Sequence, residues 1–490
     1  MYSDSGFGFL VLRSMLEGAP FNNVISPDPA NIANDVATFL SWWSPGQYLV
    51  PGFFVWLGTD YGHALSLTVL ISTLVGVIGW IQVARTFPVS TFVSFLFISG
   101  LVTFRYVTLP FRIYNGGEVL LFAAAPWCLY WLQYAVNKGP AACFVISLLS
   151  AALLFFAKLT GLIVFAANVL AISLIAALRQ RRVTVSILAM WIASGLAALC
   201  FVVLWVARGA VPAGGSKLAI TWPSIWFPLS GVAFSGFSGL DLLTWLLLHP
   251  SRPIVSDLAI TSYILGPFGL FLLIWTWYRL RGTDYRPMAI GLFAIIAFYT
   301  LALTVMHVRQ AVSFDDRNLR YAGILFFLLL LVALDHWRTT AARIIAVAVV
   351  GAFAVYGLTS YAAGARDLLR RRIYEPASGT SQLIVSPLVL EYLRSQMAIY
   401  NWQRAIAVLP SPEAAVGLPR FRIIATHLDF TPLETISARK WNGRAEKIFV
   451  IAQNHMIENG KAEALLKSFV DYEFDKWSQR RLDGMLVYSQ

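Results

Sequence analysis

The sequence predicts an all-α polytopic membrane protein, with about ten visible transmembrane helices and a small α/β extracytoplasmic C-terminal domain. Three observations predict it. Of 490 residues, 58% are hydrophobic and only 13% are charged, roughly half the charge of a soluble domain. Ten apolar stretches recur between residues 62 and 362. The basic residues sort to alternate sides of those stretches.

Residues 1–61 read as an outer-face segment. Phe7, Leu10, Val11, Ser14 and Met15 recur near helical spacing, with Arg13 and Glu17 opposite. That spacing predicts an interfacial amphipathic helix lying on the membrane. Residues 34–43 read as a second such helix. Ser44-Pro45-Gly46-Gln47-Tyr48 leads into an apolar run at 49–57, which Pro51 and Gly52 leave too short and too interrupted to span.

The expected spans are 62–84, 90–108, 117–137, 141–157, 159–178, 183–207, 257–278, 287–306, 320–336 and 341–362. Runs of about 20 apolar residues match the hydrocarbon core. Their backbones must be satisfied internally, which makes them helices. A barrel would show short alternating strands instead. Arg85, Lys138, the group Arg179, Arg181 and Arg182, the group Arg279, Arg281 and Arg286, and the pair Arg338 and Arg343 fall in five short loops. Short basic loops face the cytoplasm. Both chain ends and nearly all acidic residues then face outward.

The longest outer loop, 208–256, carries Trp222-Pro223 and Trp226-Phe227-Pro228, a composition suited to the headgroup interface. Residues 62–364 thus form the multi-span region. Residues 365–490 change character, with charges of both signs. They carry β-type runs at 405–409, 422–425, 447–452 and 486–488, and a helical segment at 461–470.

The net charge is +12, but the basic residues flank apolar runs as topology determinants. Nucleic acid is therefore excluded as a partner. Cys128, Cys143 and Cys200 lie inside apolar runs and form no CxxC pair, so they read as small core residues. The six histidines have no metal-ligand spacing. Ala213-Gly214-Gly215-Ser216-Lys217 lacks the order of a phosphate-binding loop.

Several ionisable residues remain. Asp4 and Asp35 are outer-segment carboxylates able to take a proton; Asp28, between two prolines, reads as a turn residue. Lys158 sits in a tight turn between two runs, where it either snorkels to water or meets a phosphate. Arg105 lies inside a run with Arg112 and Glu118 nearby, which reads as a functional group or a structural Arg–Glu pair. Arg317, Arg320 and Tyr321 share a helical face by their spacing. Guanidinium forks suit phosphate. The alternative is interfacial anchors paired with Asp315 or Asp316.

Four pieces carry a family likeness: Tyr2-Ser3-Asp4-Ser5-Gly6, Ser44-Pro45-Gly46-Gln47-Tyr48-Leu49, Phe156-Ala157-Lys158-Leu159-Thr160-Gly161, and Asp316-Arg317-Asn318-Leu319-Arg320-Tyr321. Over most of residues 1–362 the chain resembles the GT-C superfamily of membrane glycosyltransferases, among them protein O-mannosyltransferases and aminoarabinose transferases. Gly46 and Gln47 depart from that family's Pro-Pro-Leu-Tyr element. The resemblance implies a transmembrane span before Met1. It also implies transfer of a sugar from a polyprenyl-phosphate donor to an extracytoplasmic acceptor, which is a glycan, lipid or protein.

In this reading Asp4 is the base, with Asp35 next in line. Lys158, Arg317, Arg320, Tyr321 and Arg105 meet the donor phosphate. A divalent cation is the one cofactor left open, and the setting is a bacterial plasma membrane with its lipids. The rival classes are an O-antigen polymerase or ligase and a polytopic transporter or lipid-sugar flippase. A transporter should show inverted repeats and charged or broken helices near the midplane.

Overall fold

The computed structural model describes residues 3–41, 43–87, 89–180, 183–209, 220, 222–238, 258–309, 316–337, 339–371, 373–397, 399–400, 404–418, 421–425 and 439–490. The expectations on Arg181, Arg182, Arg338 and most of loop 208–256 lie outside these residues. So do those on Asp315 and on the side chains of Asp4, Arg179 and Asp316.

The helical bundle is built from α3 (Tyr61–Arg85), α4 (Thr91–Thr103), α5 (Arg105–Thr108), α6 (Gly117–Ala135), α7 (Pro140–Ala157), α8 (Gly161–Gln180) and α9 (Val185–Leu204). Four further helices complete it, Leu258–Leu280, Arg286–Val308, Arg320–His336 and Thr340–Arg371. Each of the ten expected spans finds a helix. Among the described residues seven are long and apolar enough to cross a membrane, and α4 with its continuation to Phe111 makes an eighth, bent by 43°. The protein is a multi-pass membrane protein.

The two expected spans that fall short have visible reasons. Helix α6 is diluted by Trp127, Tyr130, Trp131 and Tyr134. The helix Arg320–His336 has only 17 residues and is buried along most of its length. It forms the centre of the bundle and is covered by protein. By contrast, α9 leaves Val185, Leu188, Ile192, Leu199 and Val203 exposed, a surface suited to lipid.

The span expected at 90–108 is broken. Phe104 takes extended backbone angles between α4 and α5. The break is held by its surroundings: the Ser238 hydroxyl accepts the Tyr106 N–H at 3.1 Å. Helix α10 (Trp222–Ser235) corrects the reading of its stretch as an interfacial loop. Phe227, Val232, Ala233 and Phe234 are buried in the main core, because their apolar side chains pack against neighbouring helices.

The N-terminal segment departs further. Helix α1 (Ser3–Leu16) exists, but it does not lie on a membrane with one polar face. Phe9, Leu10, Val11 and Leu12 are all buried. The described residues of 34–43 are not helical: β1 (Asn23–Asp28) and β2 (Asn31–Phe39) form an antiparallel hairpin. Asp28 turns the chain, accepting the Ala30 N–H at 2.9 Å, and β-branched Val36 and Thr38 favour the strand. Helix α2 (Gly46–Trp56) tolerates Pro51 in its interior. Proline has no N–H to give the carbonyl four residues back. That carbonyl, on Gln47, instead accepts the Tyr114 hydroxyl at 2.7 Å.

The C-terminal domain holds a two-strand ribbon, β3 (Tyr374–Glu375) with β4 (Thr380–Ser381). Its main sheet comprises β5 (Ala405–Leu409), β6 (Arg422–Ala425), β7 (Lys447–Gln453), β8 (Ser478–Leu482) and β9 (Met485–Ser489), in the order β6-β5-β7-β9-β8. The four expected strands are present; β8 and the helix Pro387–Met397 were not foreseen. Strand β5 is parallel to β6 and β7 and buried at every position, as expected where both faces are covered.

Ala405, Ala407 and Leu409 face a cluster with Leu390 and Leu393, whereas Ile406 and Val408 face one with Leu465 and Leu466. Leu10 of α1 belongs to the first cluster and Ile32 of β2 to the second. The last bundle helix runs on to Arg371, past the expected boundary at 364.

Candidate active site at the domain-bearing end of the bundle

The site begins with two glycines. Gly116 has φ +71°, and a Cβ there would lie 2.7 Å from the Gln47 Oε1; a Cβ on Gly117 would lie 2.5 Å from the Ala157 carbonyl oxygen. This pair lets the start of α6 close onto the turn after α7. Glu118 follows in the first turn of α6, where the helix N-terminus favours a carboxylate.

Lys158 caps α7 in extended backbone. Its Nζ donates to the Glu118 Oε1 at 2.8 Å and to the Asn318 Oδ1 at 3.2 Å. Arg317 brings its Nε to 3.6 Å from the same Glu118 oxygen. The Asn318 carbonyl accepts the Tyr299 hydroxyl at 2.7 Å, which fixes the connection. The Glu118 side chain is 8% exposed and that of Lys158 17%. Removing one partner of such a buried pair costs about 3–5 kcal/mol.

Asp4 lies in the first turn of α1. Its neighbour Ser5 is buried, with its hydroxyl 3.5 Å from the Tyr114 carbonyl. The backbone of Asp4 is thus set beside the strand of residues that leads to Glu118. Arg320 lies over the ring of Tyr106 at 5.1 Å. A cleft runs between α3, α5, α6 and the start of Arg320–His336. Arg320, Glu118, Tyr106 and Asn115 line it together with apolar side chains such as Phe122.

The residues expected from sequence separate here. Lys158 and Arg317 meet at Glu118, and Arg320 shares the cleft. Asp35 lies elsewhere, on β2, paired with Arg422 of β6 at 2.6 Å. Tyr321 turns into the bundle core, its hydroxyl donating to the Asn168 Oδ1 at 2.6 Å. The single helical face expected for Arg317, Arg320 and Tyr321 does not form, because the helix starts only at Arg320.

Arg105 opens α5 just after the bend; the Arg–Glu contact at Glu118 is made by Arg317. Sequence reasoning did not single out Asn115, Tyr106 or Asn318. The one available signal was the glycine pair ahead of Glu118. No three His, Cys, Asp or Glu side chains gather as a metal site among the described residues.

Two solved structures share this architecture. The crystal structure of ArnT from Cupriavidus metallidurans in the apo state matches with a TM-score of 0.52 at 13% identity, covering 99% of this chain and 93% of that one. The structure of the same ArnT bound to undecaprenyl phosphate matches with 0.53, at the same identity and coverage. The chain has the ArnT fold. No family model matches the sequence, and no curated protein does. Within this ArnT-like frame the site draws on α1, α6, the α7–α8 turn and the connection before Arg320–His336, four pieces far apart in sequence.

Proposed function

We propose that the protein is an integral membrane glycosyltransferase that moves a sugar from a polyprenyl-phosphate donor to an extracytoplasmic acceptor. The observation that carries this reading is the Glu118–Lys158–Arg317 cluster beside the helix bearing Asp4, in a fold shared with ArnT. The acceptor's oxygen or nitrogen attacks the anomeric carbon. The bond from that carbon to the phosphate oxygen breaks, and its electron pair leaves on the polyprenyl phosphate. Asp4 takes the acceptor's proton. Lys158, Arg317 and Arg320 offset the charge that grows on the leaving phosphate. Glu118 orients Lys158 and Arg317. Positive-inside sorting of the short loops supports placing the site and the C-terminal domain outside a bacterial plasma membrane.

The test is a purified, reconstituted protein given undecaprenyl-phosphate sugars and, separately, nucleotide sugars. Release of undecaprenyl phosphate from the lipid-linked sugars alone is expected. Turnover of a nucleotide sugar without lipid carrier would sink the reading. Transbilayer movement of an intact lipid-linked sugar, with no bond broken, would assign the protein to the flippases.

A further inference from the structure

We propose that Tyr106 and Asn115 form a subsite that reads hydroxyl groups on the donor's glycosyl ring, beside Arg320 and Glu118. This rests on the glycosyltransferase reading and goes beyond it, since it assigns the sugar and not the phosphate. Tyr106 is 3% exposed and Asn115 5%. The Tyr106 hydroxyl and the Asn115 Oδ1 have no hydrogen-bond partner among the described residues. Both residues line the cleft that also holds Arg320 and Glu118. Buried polar atoms left without a partner are costly, and folded proteins keep few of them.

Both groups are held ready. The Tyr106 backbone N–H is bound by the Ser238 hydroxyl. Its ring is fixed between the Arg320 guanidinium and the rings of Phe104 and Phe122. Asn115 sits between Tyr114, anchored to the Gln47 carbonyl, and Gly116 at its positive φ. A phenol donates or accepts and an amide oxygen accepts, which complements a hydroxyl that does both. Val107, Pro110 and Phe122 form the apolar part of the cleft lining beside these polar atoms. A site built to bind a hydroxyl discriminates strongly against a ligand that lacks it.

The test compares two probes on the full-length protein in lipid nanodiscs. One is bare undecaprenyl phosphate; the other is undecaprenyl phosphate carrying glucose, mannose, galactose or an aminopentose. Wild type is expected to prefer at least one glycosylated lipid over the bare one. Tyr106→Phe and Asn115→Leu, which keep size, should each cut that preference about fivefold and leave bare-lipid affinity within about twofold. Variants that keep the full preference would overturn the subsite while the donor reading stands. So would a wild type that binds bare lipid and prefers no sugar, or variants that lose both affinities together, the mark of a merely structural role. A wild type that binds none of the lipids would bring down the donor reading itself, and the subsite with it.

Discussion

The Asp35–Arg422 and Glu118–Lys158 ion pairs each bring together residues distant in sequence, and they differ in what surrounds them. Asp35 and Arg422 lock the N-terminal hairpin to the edge of the C-terminal sheet. The Arg422 guanidinium also donates to the Ile32 carbonyl at 2.6 Å and to the Asn34 carbonyl, so its donors are spent on the hairpin's backbone and on Asp35. Glu118 and Lys158 lie in the bundle, next to a cleft whose walls keep polar atoms without partners. The first arrangement is closed and structural. The second still has atoms to offer a ligand. A carboxylate–cation pair is therefore informative about function through the groups around it.

The largest expected effect separates the two carboxylates read as bases. Asp4→Asn should lower turnover on the order of a hundredfold or more, the scale for loss of a general base, with donor binding little changed. Radiolabelled-sugar transfer with a parallel binding assay checks it. Near wild-type turnover removes Asp4 from the mechanism.

Lys158→Ala comes next. It leaves Glu118 buried with one cation fewer, so melting temperature should fall. Donor affinity and turnover should drop together, each by about tenfold or more, because the phosphate loses a partner in ground and transition states alike. A loss of turnover with unchanged affinity would confine Lys158 to the transition state.

Glu413 offers a third carboxylate for the comparison, one whose titration is governed by burial. It is buried where the C-terminal domain meets Gly6 of α1, and its hydrogen-bond partner is the Ser411 hydroxyl. Burial pushes its pKa up to about 7 from the ordinary 4.5. The folded state then holds a proton that the unfolded chain has lost. Stability should fall as pH rises from about 4.5 to 7, by about 3 kcal/mol in all, and level off above. Glu413→Gln should flatten that dependence and raise the melting temperature at pH 8 while changing little at pH 5. Identical pH profiles for wild type and variant would show that Glu413 does not titrate in this window.

The smallest effect belongs to the closed pair. Asp35 is about two-fifths exposed, so Asp35→Asn should cost no more than about 1 kcal/mol and leave turnover within about twofold. A hundredfold loss there would restore Asp35 as the base and dissolve the contrast.

Much of the fold was legible because hydropathy and basic loops are one-dimensional signals. Each expected span became helical, the one at 90–108 as two helices broken at Phe104, and four of the sheet's strands announced themselves as apolar runs. The hairpin at 23–39 was hidden, because part of its anchoring comes from Arg422 and Asn442, some 400 residues away. Helix α10 was hidden because tryptophan and proline serve an interface and a bundle core equally well. Within the site, Lys158 and Arg317 were legible as charges at span ends. Their meeting at Glu118 was not, since nothing local says which of several nearby arginines a carboxylate will face. Tyr106 and Asn115 gave no signal at all: an aromatic and an amide near a helix break become notable only once their neighbours fail to satisfy them.

Helix α1 has a consequence for biosynthesis. Its Leu10 completes a core that includes Phe421 and Phe449, and its Arg13 donates to the Phe421 carbonyl. These partners are translated about 400 residues later. At about 5–20 residues per second, the helix waits roughly 20–80 seconds after leaving the ribosome before they exist. During that interval Leu10 and Arg13 lack these partners, whereas Phe9, Val11 and Leu12 can already pack against Tyr48, Leu65, Val69 and Tyr114. A chain that ends before residue 421 therefore keeps the bundle-side contacts of this helix and lacks those of its Leu10 edge.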